Sequence, residues 1–216
     1  MKVVFEGIDG VGKTSVISAL SNYFKQRGIE HNVVSETSNS PIHAILKEML
    51  DKDPFFQRKE GFDTSIFESL LLCADYQYRQ RLIGCNKDSV NIFDRDFPTK
   101  LVFQKRILMN NHGERIEPFF EAWKKCLLFD SIPTDLLVYI EVPIEESIAR
   151  VRNRSRRENE QFSGEQAEFL KILKSDFEND FLPKLTDVNI LKIDGTLLPD
   201  ANAEKIGEKI LELRSI

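Results

Sequence analysis

The sequence predicts an α/β fold in which a parallel sheet of about five strands is flanked by helices in three layers. Two features predict it. Short apolar runs alternate with amphipathic helical stretches along the whole chain, without repeats or low-complexity tracts. The first run, Lys2-Val3-Val4-Phe5-Glu6, leads through a glycine-rich turn into a helix and then into a second apolar run. That order is a βαβ unit, whose two strands run parallel.

The elements then follow in order. The turn is Gly7-Ile8-Asp9-Gly10-Val11-Gly12-Lys13-Thr14. Lys13 to Gln26 reads as a helix, because Val16, Ile17, Leu20, Tyr23 and Phe24 recur on one face at 3.6 periodicity. Gly28 suits its C-cap. His31 to Ser35 is a second strand, ending at Glu36-Thr37-Ser38. Ser40–Leu50 and Thr64–Leu82 read as helices. The second carries Ile66, Leu70, Leu71, Ala74 and Tyr78, a stripe wide enough to bury. Between them Asp51–Gly61 is charged, holds Pro54 and reads as a loop. Asp88–Phe93 is a third strand that ends in Asp94-Arg95-Asp96. Pro98 fits the first turn of the next helix. Leu101, Val102, Ile107 and Leu108 make that helix amphipathic, and Asn110-Asn111-His112-Gly113 breaks it. Pro118–Leu128 is another helix, with Trp123 a core residue. Asp135–Val142 is the fourth strand. Pro143 and Glu145 start a helix that runs into Arg150, Arg152, Arg154, Arg156 and Arg157. Glu158–Gly164 is polar and reads as mobile. Glu165–Phe181 is a long helix, Asn189–Ile193 a fifth strand, Asp194-Gly195 a turn, and Ala203–Leu213 a closing helix. The 216 residues suit a single domain, residues 1–216, with an arginine-rich lid at about 150–163.

The turn fits G-x-x-x-x-G-K-[ST], the P-loop pattern, so the fold expected is of the P-loop NTPase type. Gly7, Gly10 and Gly12 let the backbone curl until successive N–H groups, Val11 included, face a phosphate. Lys13 adds a point charge, and the helix N-terminus through Thr14 and Ser15 favours an anion. Thr14 offers its hydroxyl to Mg²⁺. Asp94, just after a buried strand, has the position of a Walker-B-type aspartate, the second candidate metal ligand. A nucleoside triphosphate and Mg²⁺ are therefore the expected ligands. Arg95 could clamp an acceptor phosphate; an internal ion pair is the plainer alternative. The arginines after the fourth strand could close over transferring phosphates, or simply form a solvated face. Asp9 and Glu36 lie at strand carboxyl ends, where ligands of parallel sheets bind; a solvated loop acid is the alternative.

Other classes recede. A net charge of −5 argues against a dedicated nucleic-acid binder. No window approaches 18 apolar residues, so no membrane span is expected. The chain opens on a strand, so no signal peptide is expected. Cys73, Cys85 and Cys126 make neither a disulfide framework nor a zinc pattern, which fits a reducing, cytoplasmic setting. His31, His43 and His112 stand apart from one another. A guanine-reading Asn-Lys-x-Asp is missing, since Asn86-Lys87-Asp88 has the wrong spacing, and this weakens a GTPase switch.

Phe5-Glu6-Gly7-Ile8-Asp9-Gly10-Val11-Gly12-Lys13-Thr14-Ser15 resembles the P-loop of the thymidylate kinases, F-E-G-[LI]-[DE]-G-x-G-K-[ST]-[ST]. The likeness continues at Asp94-Arg95, Thr99 and Phe103-Gln104, similar to that family's D-R-Y-x-x-S-x-x-[AS]-Y-Q. It continues again at Asp135 to Pro143, at the arginine-rich lid and at Ile193-Asp194-Gly195. The resemblance implies a nucleoside monophosphate kinase that transfers the γ-phosphoryl group of ATP to dTMP. It implies that Gly10, Gly12, Lys13, Thr14 and Ser15 bind the ATP phosphates and Mg²⁺, and that Asp94 holds a metal-bound water. It implies that Arg95 binds the acceptor phosphate, Asp9 the sugar 3′-hydroxyl, and that Phe103 crowds the 2′ position. Val11 resembles the subgroup whose catalytic arginine comes from the lid, with Arg152, Arg154 and Arg156 as candidates. Family members are commonly homodimers; the apolar helices of the middle region could supply the interface or simply be core.

The chain also departs from the pattern. Asp96 replaces the tyrosine of D-R-Y. Leu70 to Tyr76 resembles L-L-F-A-A-D-R, yet Leu72 stands for a base-stacking phenylalanine and Tyr76 for a thymine-reading arginine. Glu36-Thr37 stands where the family often has R-E-P-G. Two rivals stay open. A deoxynucleoside kinase would use Glu36 as general base toward a 5′-hydroxyl. A regulatory P-loop protein would bind nucleotide without transferring phosphate.

Overall fold

The computed structural model describes residues 1–36, 40–52, 64–83, 89–157 and 162–214. Several features read from the sequence lie outside the described residues: Thr37-Ser38, most of the Asp51–Gly61 loop, Cys85, Asn86-Lys87-Asp88 and 158–161. The Arg156 side chain does too. The chain divides into two compact units. One comprises Met1–Ser35, Lys87–Arg95 and Pro133–Ile216; the other comprises Glu36–Asn86 and Asp96–Ile132.

The first unit holds a five-stranded parallel sheet in the order β2-β3-β1-β4-β5. Its strands are β1 (Lys2–Glu6), β2 (His31–Val34), β3 (Val90–Asp94), β4 (Leu136–Glu141) and β5 (Asn189–Asp194). The three inner strands are near-continuous apolar runs, and Val3, Val4, Phe5, Ile92, Phe93 and Leu136 through Val138 lose all solvent contact. Such runs belong to strands covered on both faces. β2 is an edge strand and leaves Val33 about half exposed. Helices α1 (Lys13–Gln26) and α8 (Pro199–Arg214) pack against each other, burying Val16, Ile17, Leu20 and Phe24 of α1 and Ala203, Ile206 and Ile210 of α8. The unit also contains α6 (Ile144–Arg157) and α7 (Gly164–Ser175). The stretch expected as one helix to Phe181 changes character at Asp176, where a turn of π-helix runs to Phe181. The wider turn buries Phe177, whose ring meets those of Tyr139 and Phe181.

The second unit is helical: α2 (His43–Lys52), α3 (Ser65–Ile83), α4 (Phe97–His112) and α5 (Glu117–Leu128). Pro98 sits in the first turn of α4, as its fixed φ allows. Asn110 and Asn111 do not break α4; it ends at Gly113, where φ is positive and a 3-10 turn begins.

The orientation of α3 overturns the expected apolar stripe. Ile66, Leu70, Ala74 and Tyr78 face outward, and the buried face carries Ser65, Glu68, Ser69, Asp75, Tyr76, Arg79 and Gln80. Burying polar groups is tolerable when each is hydrogen-bonded, and this face is richly bonded. Thr64 Oγ1 donates to Glu68 Oε1 at 2.5 Å, and Ser69 Oγ to Ser65 O at 2.7 Å. The Trp123 indole donates to Ser69 O at 2.6 Å, Ser40 Oγ to Asp75 Oδ1 at 2.6 Å, and Gln80 Nε2 to Asp96 Oδ1 at 3.1 Å. Trp123 is buried, as its aromatic bulk suggested.

Candidate active site

β1 is the middle strand, and β3 is hydrogen-bonded directly beside it. The loop after β1 and the residues after β3 therefore emerge side by side at the carboxyl edge of the sheet. The Arg95 N–H donates to Phe5 O at 3.0 Å and fixes this junction. This neighbourhood brings together Gly7 to Ser15, Asp94 and Arg95.

The loop itself is built around left-handed backbone. Gly7, Gly10 and Gly12 all have positive φ. Gly10 has a second reason to be glycine, because a Cβ there would stand 2.5 Å from Ser147 O and 3.0 Å from Val151 Cγ2. The Lys13 ammonium curls back over the loop and donates to Gly7 O at 2.9 Å and Ile8 O at 3.1 Å. At the start of α1 no side chain caps the helix, and no acid occupies the first turn. The positive end of that helix is thus directed at the loop, an arrangement that suits an anion.

Thr14 Oγ1 donates to Asp94 Oδ2 at 3.3 Å. The other carboxylate oxygen, Asp94 Oδ1, is buried and has no hydrogen-bond partner. A hydroxyl and a carboxylate with an unsatisfied oxygen form a donor set suited to a hard divalent cation such as Mg²⁺. The residues present therefore fit the metal that the loop pattern implies.

Asp9 lies at the tip of the loop, where the Arg95 guanidinium donates to Asp9 Oδ1 at 2.5 Å. Burial works against its ionisation. The charges of Arg95 and Lys13, the Arg95 hydrogen bond and the Arg154 charge outweigh it and hold the carboxyl down at about 2. Arg95 itself is buried and has φ 61, a left-handed backbone uncommon for a side chain of this size. Strained backbone of this kind clusters at functional sites.

Two residues of α6 hold the loop in place: Ser147, which the sequence did not single out, and Arg150, the first of the arginine cluster. Ser147 Oγ donates to Asp9 O at 2.5 Å. Arg150 donates to Gly10 O at 3.3 Å, Val11 O at 3.4 Å and Gly195 O at 3.1 Å, and pairs with Glu146 one turn earlier. The approach is close: a Cβ on Gly195 would stand 2.6 Å from Val11 O. The available signal was helical spacing, since Ser147, Arg150, Val151 and Arg154 lie on one face of α6. Arg154 reaches Asp9 electrostatically, and Arg152 and Arg154 are solvent-exposed.

The remaining candidates, Glu36, Leu72, Tyr76, Thr99, Phe103 and Gln104, belong to the second unit. Thr99 and Gln104 are buried on α4, and Ser69 Oγ donates to Gln104 Oε1 at 3.4 Å. Leu72, Phe103 and Glu36 are half-buried. Tyr76 and Asp96, the two departures from the D-R-Y and A-D-R patterns, meet in one buried cluster. Burial and the Asp96 charge push the Tyr76 hydroxyl far up from its ordinary value. Burial and then the Arg79 charge lower Lys100, against the opposing charges of Glu36, Asp75 and Asp96.

His31 and His112 are each bonded to a serine, Ser21 at 2.7 Å and Ser65 at 3.0 Å. Among the described residues no group of three or more His, Cys, Asp or Glu could hold a metal, and no helix is long and apolar enough to cross a membrane.

A model of the family described as deoxynucleoside kinase matches residues 3–213. Two proteins named "Probable thymidylate kinase" are similar to the chain. That of Methanosphaera stadtmanae is 25% identical over 98% of each chain. That of Methanobrevibacter smithii is 28% identical over 90% of this chain and 91% of its own. Among solved structures, deoxyadenosine kinase from M. mycoides with bound dATP superposes with a TM-score of 0.70 at 19% identity, covering 97% of this chain and 99% of that one. The protein is a phosphotransferase with a P-loop kinase fold that acts on nucleosides or nucleotides, and the chain belongs to the deoxynucleoside kinase family.

Proposed function

We propose that the protein is an ATP- and Mg²⁺-dependent nucleoside monophosphate kinase that converts dTMP to dTDP. One observation carries this reading: Arg95, a buried cation, is fixed at 2.5 Å from Asp9 at the tip of the phosphate-binding loop. A second cation there, beyond Lys13, suits an acceptor that already carries a phosphate. Such an acceptor is ionised and attacks without a base, whereas a hydroxyl acceptor needs one. The relatives named thymidylate kinase support dTMP as the acceptor.

In this reading the loop amides and Lys13 hold the β- and γ-phosphates of ATP, and Arg95 holds the acceptor phosphate in line. An acceptor oxygen bonds to the γ-phosphorus as the β–γ bridging bond breaks, and ADP leaves. Thr14 and Asp94 would hold Mg²⁺, which neutralises charge on the triphosphate. Lys13, Arg95 and the lid arginines Arg152, Arg154 and Arg156 neutralise the charge that spreads over the transferring group. Asp9, kept ionised by its cations, accepts from the sugar 3′-hydroxyl. On this reading residues 1–216 serve one reaction, with 150–163 as a lid.

The family match favours a second reading, a deoxynucleoside kinase in which Glu36 acts as base toward a 5′-hydroxyl. ADP release measured over a panel of deoxynucleosides and their monophosphates separates the two. The proposal expects turnover with dTMP well above that with thymidine. Turnover with nucleosides alone would establish the second reading. ATP binding without transfer to any member of the panel would leave a regulatory protein.

A further inference from the structure

The mechanism above makes no use of the cysteines, two of which lie on α3 and α5, helices of the second unit that pack together. Cys73 lies on α3 midway between Ser69 and Gln77, each one helical turn away and on the same side of the helix. Both flanking residues bond to α5 or to the residue just past its end. The Trp123 indole donates to Ser69 O at 2.6 Å. The Gln77 amide donates to Cys126 O at 3.0 Å, Leu127 O at 2.9 Å and Phe129 O at 2.9 Å. The contacts advance together along both helices, from Ser69 against Trp123 to Gln77 against 126–129. Cys73 falls between those contacts, opposite the stretch of α5 from Trp123 to Leu127 that carries Cys126. The two thiols interact: burial pushes the Cys73 thiol up, and the neighbouring Cys126 adds to the shift. Both are free thiols; Cys126 is solvent-exposed and Cys73 half-buried.

We propose that Cys73 and Cys126 are a modification site at which a hydroperoxide oxidises the pair to an intramolecular disulfide joining α3 to α5. The exposed Cys126 is the first to react. Its thiolate attacks one peroxide oxygen, the O–O bond breaks, and a sulfenic acid and water result once the thiol proton is transferred. The Cys73 thiolate then attacks the Cys126 sulfur, the S–O bond breaks, and hydroxide leaves and takes up the Cys73 proton as a second water. Two thiols lose two electrons and one peroxide gains them. The bond would pin the part of α3 that carries Leu72 and Tyr76.

The test uses the full chain with Cys85→Ser, so that only Cys73 and Cys126 remain of the three cysteines. After a small excess of hydrogen peroxide, a denaturing thiol count should fall from two to none. The protein should stay a single chain on a non-reducing gel, one peptide pair in a tryptic map should join Cys73 to Cys126, and dithiothreitol should restore both thiols. Cys126→Ser in the same background, a change at an exposed position, should lose the linked peptide pair while keeping its circular dichroism. Two thiols surviving peroxide, loss only as sulfinic or sulfonic acid, or disulfide-linked dimers in place of the internal link would overturn the proposal.

Discussion

Arg95 and Asp9, 86 positions apart in the chain, meet at 2.5 Å at the tip of the glycine-rich loop. The pair orients the guanidinium and keeps the carboxylate ionised. Arg95→Ala should lower kcat at least about 10²-fold, as removal of a transition-state donor does. Far-UV circular dichroism should be unchanged. Near-normal turnover in the purified variant would remove Arg95 from the mechanism.

Lys13 bonds Gly7 O and Ile8 O and, in the proposed mechanism, holds the triphosphate. Lys13→Ala should also cost at least about 10²-fold in kcat. Steady-state kinetics with saturating ATP checks this separately from binding.

The Asp9–Arg95 pair also predicts an acid dependence of stability. The Asp9 carboxyl falls from 3.8 to about 2 in the folded protein, equivalent to about 2 kcal/mol. A depressed carboxyl stabilises the fold above the unfolded value and loses that stabilisation as pH falls through the folded one. Urea unfolding should therefore show wild type losing about 2 kcal/mol more than Asp9→Asn between pH 4 and pH 2. Parallel curves would mean that the pair contributes nothing.

Gly10 combines positive φ with a wall made by Ser147 and Val151. Gly10→Ala should displace the loop and raise the ATP Kd roughly tenfold or more, equivalent to about 1.4 kcal/mol. Isothermal titration with a non-hydrolysable ATP analogue measures it.

Much of this arrangement is legible in the sequence, and the rest is hidden for identifiable reasons. The loop, its strand and its helix are local, and Gly7 to Ser15 read directly as phosphate-binding chemistry. The placing of Asp94 is partly legible, because an acid after a buried strand has few other uses. That β3 adjoins β1 is not, since strand order is a long-range property. Ser147 was obscured for the same reason, and so were the partners of Arg150, since the loop atoms that the two residues bond lie 138 to 140 positions away. α3 misleads in a different way. Its apolar residues suggest the buried stripe, but hydrogen bonds around Ser69, Asp75 and Gln80 let the polar face go inside. Periodicity finds a helix but cannot tell which face is covered when the polar one finds hydrogen-bond partners inside.

In the proposed reaction phosphate passes to an acceptor already bearing phosphate. Phosphorus NMR of the protein with ATP, Mg²⁺ and dTMP tests it most directly. The dTMP singlet should give way to the two coupled resonances of dTDP as ADP accumulates. An unchanged dTMP signal, with thymidine converted to dTMP under the same conditions, would contradict it.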